Sequence, residues 1–242
     1  MDVEKVMKSW TDDIKSSAVN LAKDVVRASP YERVMSALPW TSQAAGLTLL
    51  RAHGDLKDRG WFHSFVRRLP VDAKGRPLPW FTYGSIAFLT PRIQSSWRVF
   101  EYGSGHSTLW WSERVKEVVA VEHHQQWADK ISKQLPDNAT LMYRALAQGT
   151  SYPDAPVEAG GKFDVIVIDG RERIWCAERC FSALAANGVI IWDNSERPRY
   201  QPGLKRLAEL GFRHVDFDGM GPINTYGWRT TLLYRDDNVL GL

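Results

Sequence analysis

The sequence predicts an α/β fold: a mostly parallel seven-stranded sheet, closed by a C-terminal antiparallel hairpin, with helices on both faces and a helical segment before it. Three observations lead there. Beyond residue 96 short apolar runs alternate with helical patterns, as in strands joined by crossover helices. Of the seven runs, the last two, 212–217 and 230–234, have no helix between them, which predicts the hairpin. The first run ends in a turn with Gly103 and Gly105, and open α/β sheets bind ligands at such strand ends.

Val3, Val6, Met7, Trp10, Ile14, Leu21, Val25 and Val26 recur mostly three or four apart, a helical stripe that Pro30 stops. Its polar side mixes Lys5, Lys8, Lys15, Lys23 and Arg27 with Asp2, Glu4, Asp12, Asp13 and Asp24. A mixed face argues for packing on the domain or on a second copy in a homodimer, not for a membrane surface. From 39 to 92 the helical pattern is interrupted by turn signals and crowded with aromatics, including Trp40, Trp61, Trp80, Phe81 and Tyr83. It reads as an accessory segment, able to serve as a lid. No repeat or linker divides it from the strand-forming region, so 1–95 is expected to be an accessory part of the same domain and 96–242 the core. Strands are expected at 98–102, 117–122, 140–143, 163–168, 188–192, 212–217 and 230–234, with helices at 107–112, 125–134, 174–185 and 203–210.

A length of 242 residues suits one α/β domain, and 44% hydrophobic and 24% charged residues are ordinary globular values that exclude a disordered or fibrous chain. The net charge of +3 is too small for a dedicated polyanion surface, so no nucleic acid partner is expected. The 11 tryptophans are either core pieces or flat faces for an aromatic or sugar ligand. Cys176 and Cys180 lie one helical turn apart, which suits two reduced core thiols better than a disulfide or a metal site. With no long apolar span and no cleavable signal pattern, the expectation is a cytoplasmic protein without a transmembrane segment.

The strongest chemical signal is Arg98-Val-Phe-Glu-Tyr-Gly-Ser-Gly-His-Ser-Thr108, a strand running through a glycine turn into a helix. Glycines there let the backbone pass close to a ligand. The longer dinucleotide fingerprint would have a third glycine where Thr108 stands, which counts against a nicotinamide cofactor. Glu101 fits an acidic group steering a cationic or amine-bearing cofactor. The next strand ends in Glu122, where a carboxylate can accept from both ribose hydroxyls.

These residues resemble the class I S-adenosylmethionine-dependent methyltransferases, which have a Rossmann-like sheet and an acidic-x-Gly-x-Gly motif after the first strand. The resemblance implies that Glu101, Gly103, Ser104, Gly105 and Ser107 wrap the methionine end of the cofactor, that Glu122 holds the ribose, and that His123 lies near the adenosine. Tyr83, in the 80–83 aromatic stretch, is expected to help cover it. Two more strands end in polar residues, Asp169 and the pair Asp193 and Asn194. Three such oxygens could hold Mg²⁺, and the arrangement resembles the catechol-type and caffeoyl-type O-methyltransferases. Where the catechol branch has a lysine base this chain has Glu172, flanked by Arg171 and Arg173, so the base is unassigned and Arg171 is a candidate for an anionic substrate. The alternative is a metal-free site in which Asp169 and Asp193 orient the reactants. Tyr200, Asn224 and Tyr226, in loops beyond the fifth strand, are candidate substrate contacts.

Together these readings predict an O-methyltransferase acting on a small molecule or saccharide, with assistance by a divalent metal as an option. The rivals are an NAD(P)-dependent oxidoreductase and a non-catalytic interaction protein with this fold.

Overall fold

A computed structural model describes residues 54–146 and 151–242 of the protein. The chain divides into two units, Met1–Asp58 and Arg59–Leu242. Of the first, residues 54–58 are described and include one helical turn, Asp55–Asp58. The stripe from Val3 to Val26, its stop at Pro30, the homodimer contact expected of it and Trp40 lie outside the described residues.

The second unit opens with helices α1 (Trp61–Arg67) and α2 (Tyr83–Leu89). The sheet comes next: β1 (Arg98–Tyr102), α3 (His106–Ser112), β2 (Glu117–Glu122), α4 (Gln125–Ser132), β3 (Ala139–Tyr143), α5 (Ala155–Glu158) and β4 (Phe163–Ile168). It is completed by α6 (Arg173–Arg179), β5 (Leu184–Asp193), α7 (Gln201–Glu209), β6 (Arg213–Gly219) and β7 (Trp228–Tyr234). The strand order is β3-β2-β1-β4-β5-β7-β6. All neighbours run parallel from β3 to β5, and β7 is antiparallel to both β5 and β6. This is the expected seven-stranded Rossmann-like sheet with its terminal hairpin.

Two elements differ from the sequence reading. The helix expected over 174–185 ends at Arg179, and a 3-10 turn, Cys180–Ala183, leads directly into β5 at Leu184. That strand is correspondingly longer than the apolar run at 188–192, because its first residues include Ala185, Ala186 and Asn187, which carry no hydrophobic strand signal. Residues 59–95 are tied to the sheet by long-range contacts. Trp61 Nε1 donates to Asn224 O at 2.8 Å, Tyr83 N to Met220 O at 2.8 Å, and Thr82 N to Thr230 Oγ1 at 3.0 Å. Among the described residues no helix is long and apolar enough to cross a membrane.

Both faces of β1, β4 and β5 are covered, so these strands read as continuous apolar runs. Phe100, Tyr102, Phe163, Ile166, Ile190 and Trp192 are all fully buried in one cluster, which also takes in Cys176 and Cys180. Trp97, Trp110, Trp111, Trp192 and Trp228 are buried, as core pieces, whereas Trp80 and Trp175 are exposed.

The chain winds from β1 outward through β2 and β3, then returns to add β4 and β5 on the other side. The crevice between the tips of β1 and β4 is therefore the topological switch point, where adjacent loops leave in opposite directions and open a cleft. Two glycines set its floor. Gly103 has φ +95, and a Cβ there would meet Gly170 Cα at 3.4 Å; a Cβ on Gly170 would lie 2.1 Å from Tyr152 Oη. Gly103→Ala is expected to destabilise the protein by about 1–2 kcal/mol through left-handed strain, read as a lower denaturant midpoint in chemical unfolding.

Candidate active site

A cleft of about 290 Å³ lies at this switch point. The sequence-predicted residues Glu101, Gly103, Ser104, Ser107, Glu122, His123, Asp169 and Arg171 all line it. Gly105 sits just behind, closing the turn. Its N–H donates to Thr108 Oγ1 at 3.0 Å, and the turn is pinned from outside by Trp127 Nε1 donating to Ser104 O at 2.9 Å.

Glu101 ends up in the wall because it is the penultimate residue of β1, an interior strand, paired with Ala120 on one side and Val167 on the other. It is 1% exposed. Thr108 Oγ1 donates to its Oε2 at 2.5 Å, but Oε1 is buried with no hydrogen-bond partner in the protein. Burial pushes the Glu101 carboxyl up from 4.5 to about 8, against the pull of the Ser107 and Thr108 hydroxyls and with the nearby Asp169 and Glu122 charges adding to the rise. An orphaned carboxylate oxygen in a cleft wall is a site that a cation, and in particular an ammonium, satisfies.

Glu122 is held differently. Its Oε1 accepts from the backbone N–H groups of His123 and His124 at 2.8 and 2.9 Å, and its Oε2 accepts from Ser104 Oγ at 3.1 Å. Three donors fix the carboxylate across the cleft from Glu101, as befits an acceptor for paired hydroxyls. His123 Nδ1 lies 2.9 Å from Glu122 Oε1 without forming an aligned hydrogen bond. Tyr83 lines neither this cleft nor its neighbour; it is buried in the core, and of residues 80–83 Trp80 lines the neighbouring cleft.

A second cleft of about 330 Å³ adjoins the first, sharing Asp169, Arg173 and Arg197 with it. Asp193 and Asn194 line this second cleft, with Trp80, Asn224, Tyr226 and Trp228. Of the loop candidates, Asn224 and Tyr226 thus lie here, while Tyr200 lines the first cleft.

The three residues proposed for Mg²⁺ share the second cleft, but two of their oxygens are already engaged within the protein. Asp193 Oδ1 accepts from Trp228 Nε1 at 2.9 Å and from Thr230 Oγ1 at 2.6 Å, and Asp169 Oδ1 accepts from Arg173 at 2.8 Å. Arg173, which no motif had marked, takes the second of these. Its side chain is 7% exposed, and it donates to Gly170 O, to Asp169 O and to the backbone oxygen of Asp193. A fixed guanidinium thus bridges the tips of β4 and β5 and puts a permanent positive charge beside both aspartates. Among the described residues no group of three or more His, Cys, Asp or Glu is disposed to hold a metal. The metal expectation is therefore corrected: the donor set does not fit the ion. Burial raises the carboxyls of both Asp169 and Asp193, the latter further raised by the Asp169 charge, while Arg173 pulls each back.

The signals for the missed residues were slight. Arg173 lies four positions after Asp169, the spacing of a helical ion pair, and Thr108 occupies the position of the absent third glycine. Trp228 and Thr230 come from the antiparallel β7 and carried no local signal.

These contacts have two consequences for stability. Removing the clip with Arg173→Ala is expected to cost about 3 kcal/mol in chemical denaturation, since two buried carboxyls lose their counter-charge, and Mg²⁺ should not shift the melting temperature of the unmodified protein. Glu101 works against the fold as pH rises: the unfolded carboxyl ionises near 4.5 and the folded one near 8, so stability falls across that window. Glu101→Gln should therefore melt higher than the parent above about pH 8 and nearly equal it at about pH 5.

Comparison with known proteins adds a sequence match to this geometry. Residues 100–195 match the family model described as a methyltransferase domain. Among curated proteins, none matches the sequence. Similar solved structures include a precorrin-6y C5,15-methyltransferase from Geobacter metallireducens, 14% identical with a TM-score of 0.50, covering 63% of this chain and 87% of that one. An rRNA methylase from Streptococcus thermophilus is 15% identical with a TM-score of 0.49, covering 64% and 96%. An O-methyltransferase from Bacillus cereus in complex with SAH is 21% identical with a TM-score of 0.49, covering 80% and 98%. Most of the first cleft's lining falls within the stretch matched by the methyltransferase-domain model, whereas the second cleft also draws on Trp80, Arg197, Asn224, Tyr226 and Trp228 from outside it.

Proposed function

We propose that the protein transfers a methyl group from S-adenosylmethionine to an oxygen of a small molecule or saccharide, without a metal ion. The observation that carries this reading is the Glu101 Oε1 atom, buried and unpartnered in the cleft wall, opposite a Glu122 carboxylate already fixed by three donors. Glu101, with Gly103, Ser104 and Ser107, would hold the cationic methionine end, and Glu122 the ribose hydroxyls, with His123 beside the adenosine. A dinucleotide would bring its pyrophosphate against Glu101, and like charges at a buried site disfavour that cofactor.

The acceptor hydroxyl would enter from the second cleft and meet the methyl at the junction, where Asp169 opens to both clefts. Its oxygen forms the new bond to the methyl carbon as the sulfur–methyl bond breaks, the bonding pair staying on sulfur to leave neutral S-adenosylhomocysteine. The hydroxyl proton goes to Asp169, which Arg173 keeps in place through Oδ1. Its raised pKa makes it a better proton acceptor than a solvated carboxylate. Alignment of the two reactants would supply most of the acceleration. Arg171 and Asp193 would not exchange protons: an arginine stays charged, and Asp193 has Trp228 and Thr230 on its Oδ1.

Calorimetric titration with S-adenosylmethionine and S-adenosylhomocysteine tests the reading, and the absence of binding by both would end it. Glu122→Ala is expected to weaken binding at least about tenfold, since it removes charge-assisted contacts to two hydroxyls. Binding at neutral pH should release close to one proton, because an ammonium beside Glu101 brings its pKa down from about 8. Repeating the titration in buffers of different ionisation enthalpy measures that proton, and Glu101→Gln should abolish its release.

A further inference from the structure

The second cleft is the acceptor half of the proposed methyl transfer, on which this inference rests, and one of its arginines makes no side-chain hydrogen bond among the described residues. Arg173 is spent on Asp169 and on the backbone oxygens at the strand tips. Asp193 is 2% exposed and already takes two hydrogen bonds. Arg197 pulls on the Asp169 charge from beyond ion-pair distance but donates no side-chain hydrogen bond. Its closest carboxylate is Glu196 at 3.9 Å, across two half-exposed side chains, and Glu196 is drawn the other way by Arg229 N, which donates to its Oε2 at 3.0 Å. A half-exposed pair at that distance holds an arginine weakly, so Arg197 has most of its donors available where the two clefts meet.

The same cleft has a flat apolar side. Trp80 and Tyr226 line it while remaining 42% and 64% exposed. Large aromatics left open on a concave wall suit stacking on a ring. Asn194 and Asn224 add side-chain amides that make no hydrogen bond among the described residues, so hydroxyls of a ligand have partners as well.

We propose that the methyl acceptor is a small hydroxylated ring compound bearing a negative charge, its ring against Trp80 and Tyr226 and its acidic group on Arg197. The chemistry selects such a ligand in two ways. A neutral acceptor would cover Arg197 and strip it of water without replacing the lost contacts, a cost an acidic group avoids. An amine-bearing acceptor would meet both Arg197 and the sulfonium of the bound cofactor, and like charges discriminate against it.

The test uses protein saturated with S-adenosylhomocysteine, titrated with matched probes: dihydroxybenzoate against dihydroxybenzyl alcohol, and glucuronate against glucose. In at least one pair the anion should bind about fivefold tighter or more, the ratio set by one half-exposed charged contact. That ratio should fall to near unity in Arg197→Gln and survive in Arg197→Lys, while Trp80→Ala weakens both members of the pair alike. Equal affinity within every pair, no binding by any probe, or a ratio unchanged in Arg197→Gln would overturn the inference. Failure of S-adenosylhomocysteine to load would instead refute the cofactor reading, and the two failures are seen in separate titrations.

Discussion

The guanidinium of Arg173 joins parts of this molecule that the sheet alone would leave apart. The tips of β4 and β5 are neighbours, but beyond Ile168 and Asp193 their hydrogen-bond ladder has ended, and exposed carbonyls and two carboxyls of like charge face one another. One buried cation answers all of them, donating to the backbone at Asp169, Gly170 and Asp193 and to the Asp169 side chain. Such a group cannot be replaced by water or by a mobile lysine, because only a planar fork reaches several acceptors at once from a fixed position. It also shapes the chemistry of the junction: the Asp169 carboxyl is held by a cation of the chain's own, with the Asp193 carboxyl beside it.

Around that clip the two clefts share Asp169, Arg173 and Arg197 and differ in what else lines them. The first is walled by Glu101 and Glu122, one with an oxygen lacking a hydrogen-bond partner and the other oriented by three donors. It offers a cation an unsatisfied oxygen and a diol a preorganised one. The second is bordered by Arg173 and Arg197 with aromatics at its rim.

Much of the fold was legible in the order of residues. The apolar runs marked β1, β2 and β4 to the residue, because strands buried on both faces must be apolar throughout. The short 3-10 turn ahead of β5 was not, since 180–187 carries small residues that suit a helix or a strand equally. The first cleft was legible through Glu101, Gly103 and Glu122, whose positions relative to strand ends are local facts. Tyr83 was misplaced because an aromatic near a site in sequence can equally face the core. The metal set failed for a related reason: Asp193 and Asn194 are adjacent in sequence, but where a side chain points at a strand tip depends on neighbours such as Trp228 and Thr230 from a distant hairpin.

By itself the sequence determined the alternation of strands and helices, the glycine turn at Gly103 and the carboxylates at the ends of β1 and β2, since these rest on periodicity and on bonds between residues near one another in the chain. Only the tertiary structure decided that Arg173 fills the space between Asp169 and Asp193, that Glu101 keeps one oxygen without a partner, and that Trp80 and Tyr226 meet at a single cleft with Arg197. Each of those outcomes depends on which side chains the packed sheet brings together, and burial, which turns a charge into a cost or a binding site, exists only once the chain has closed on itself.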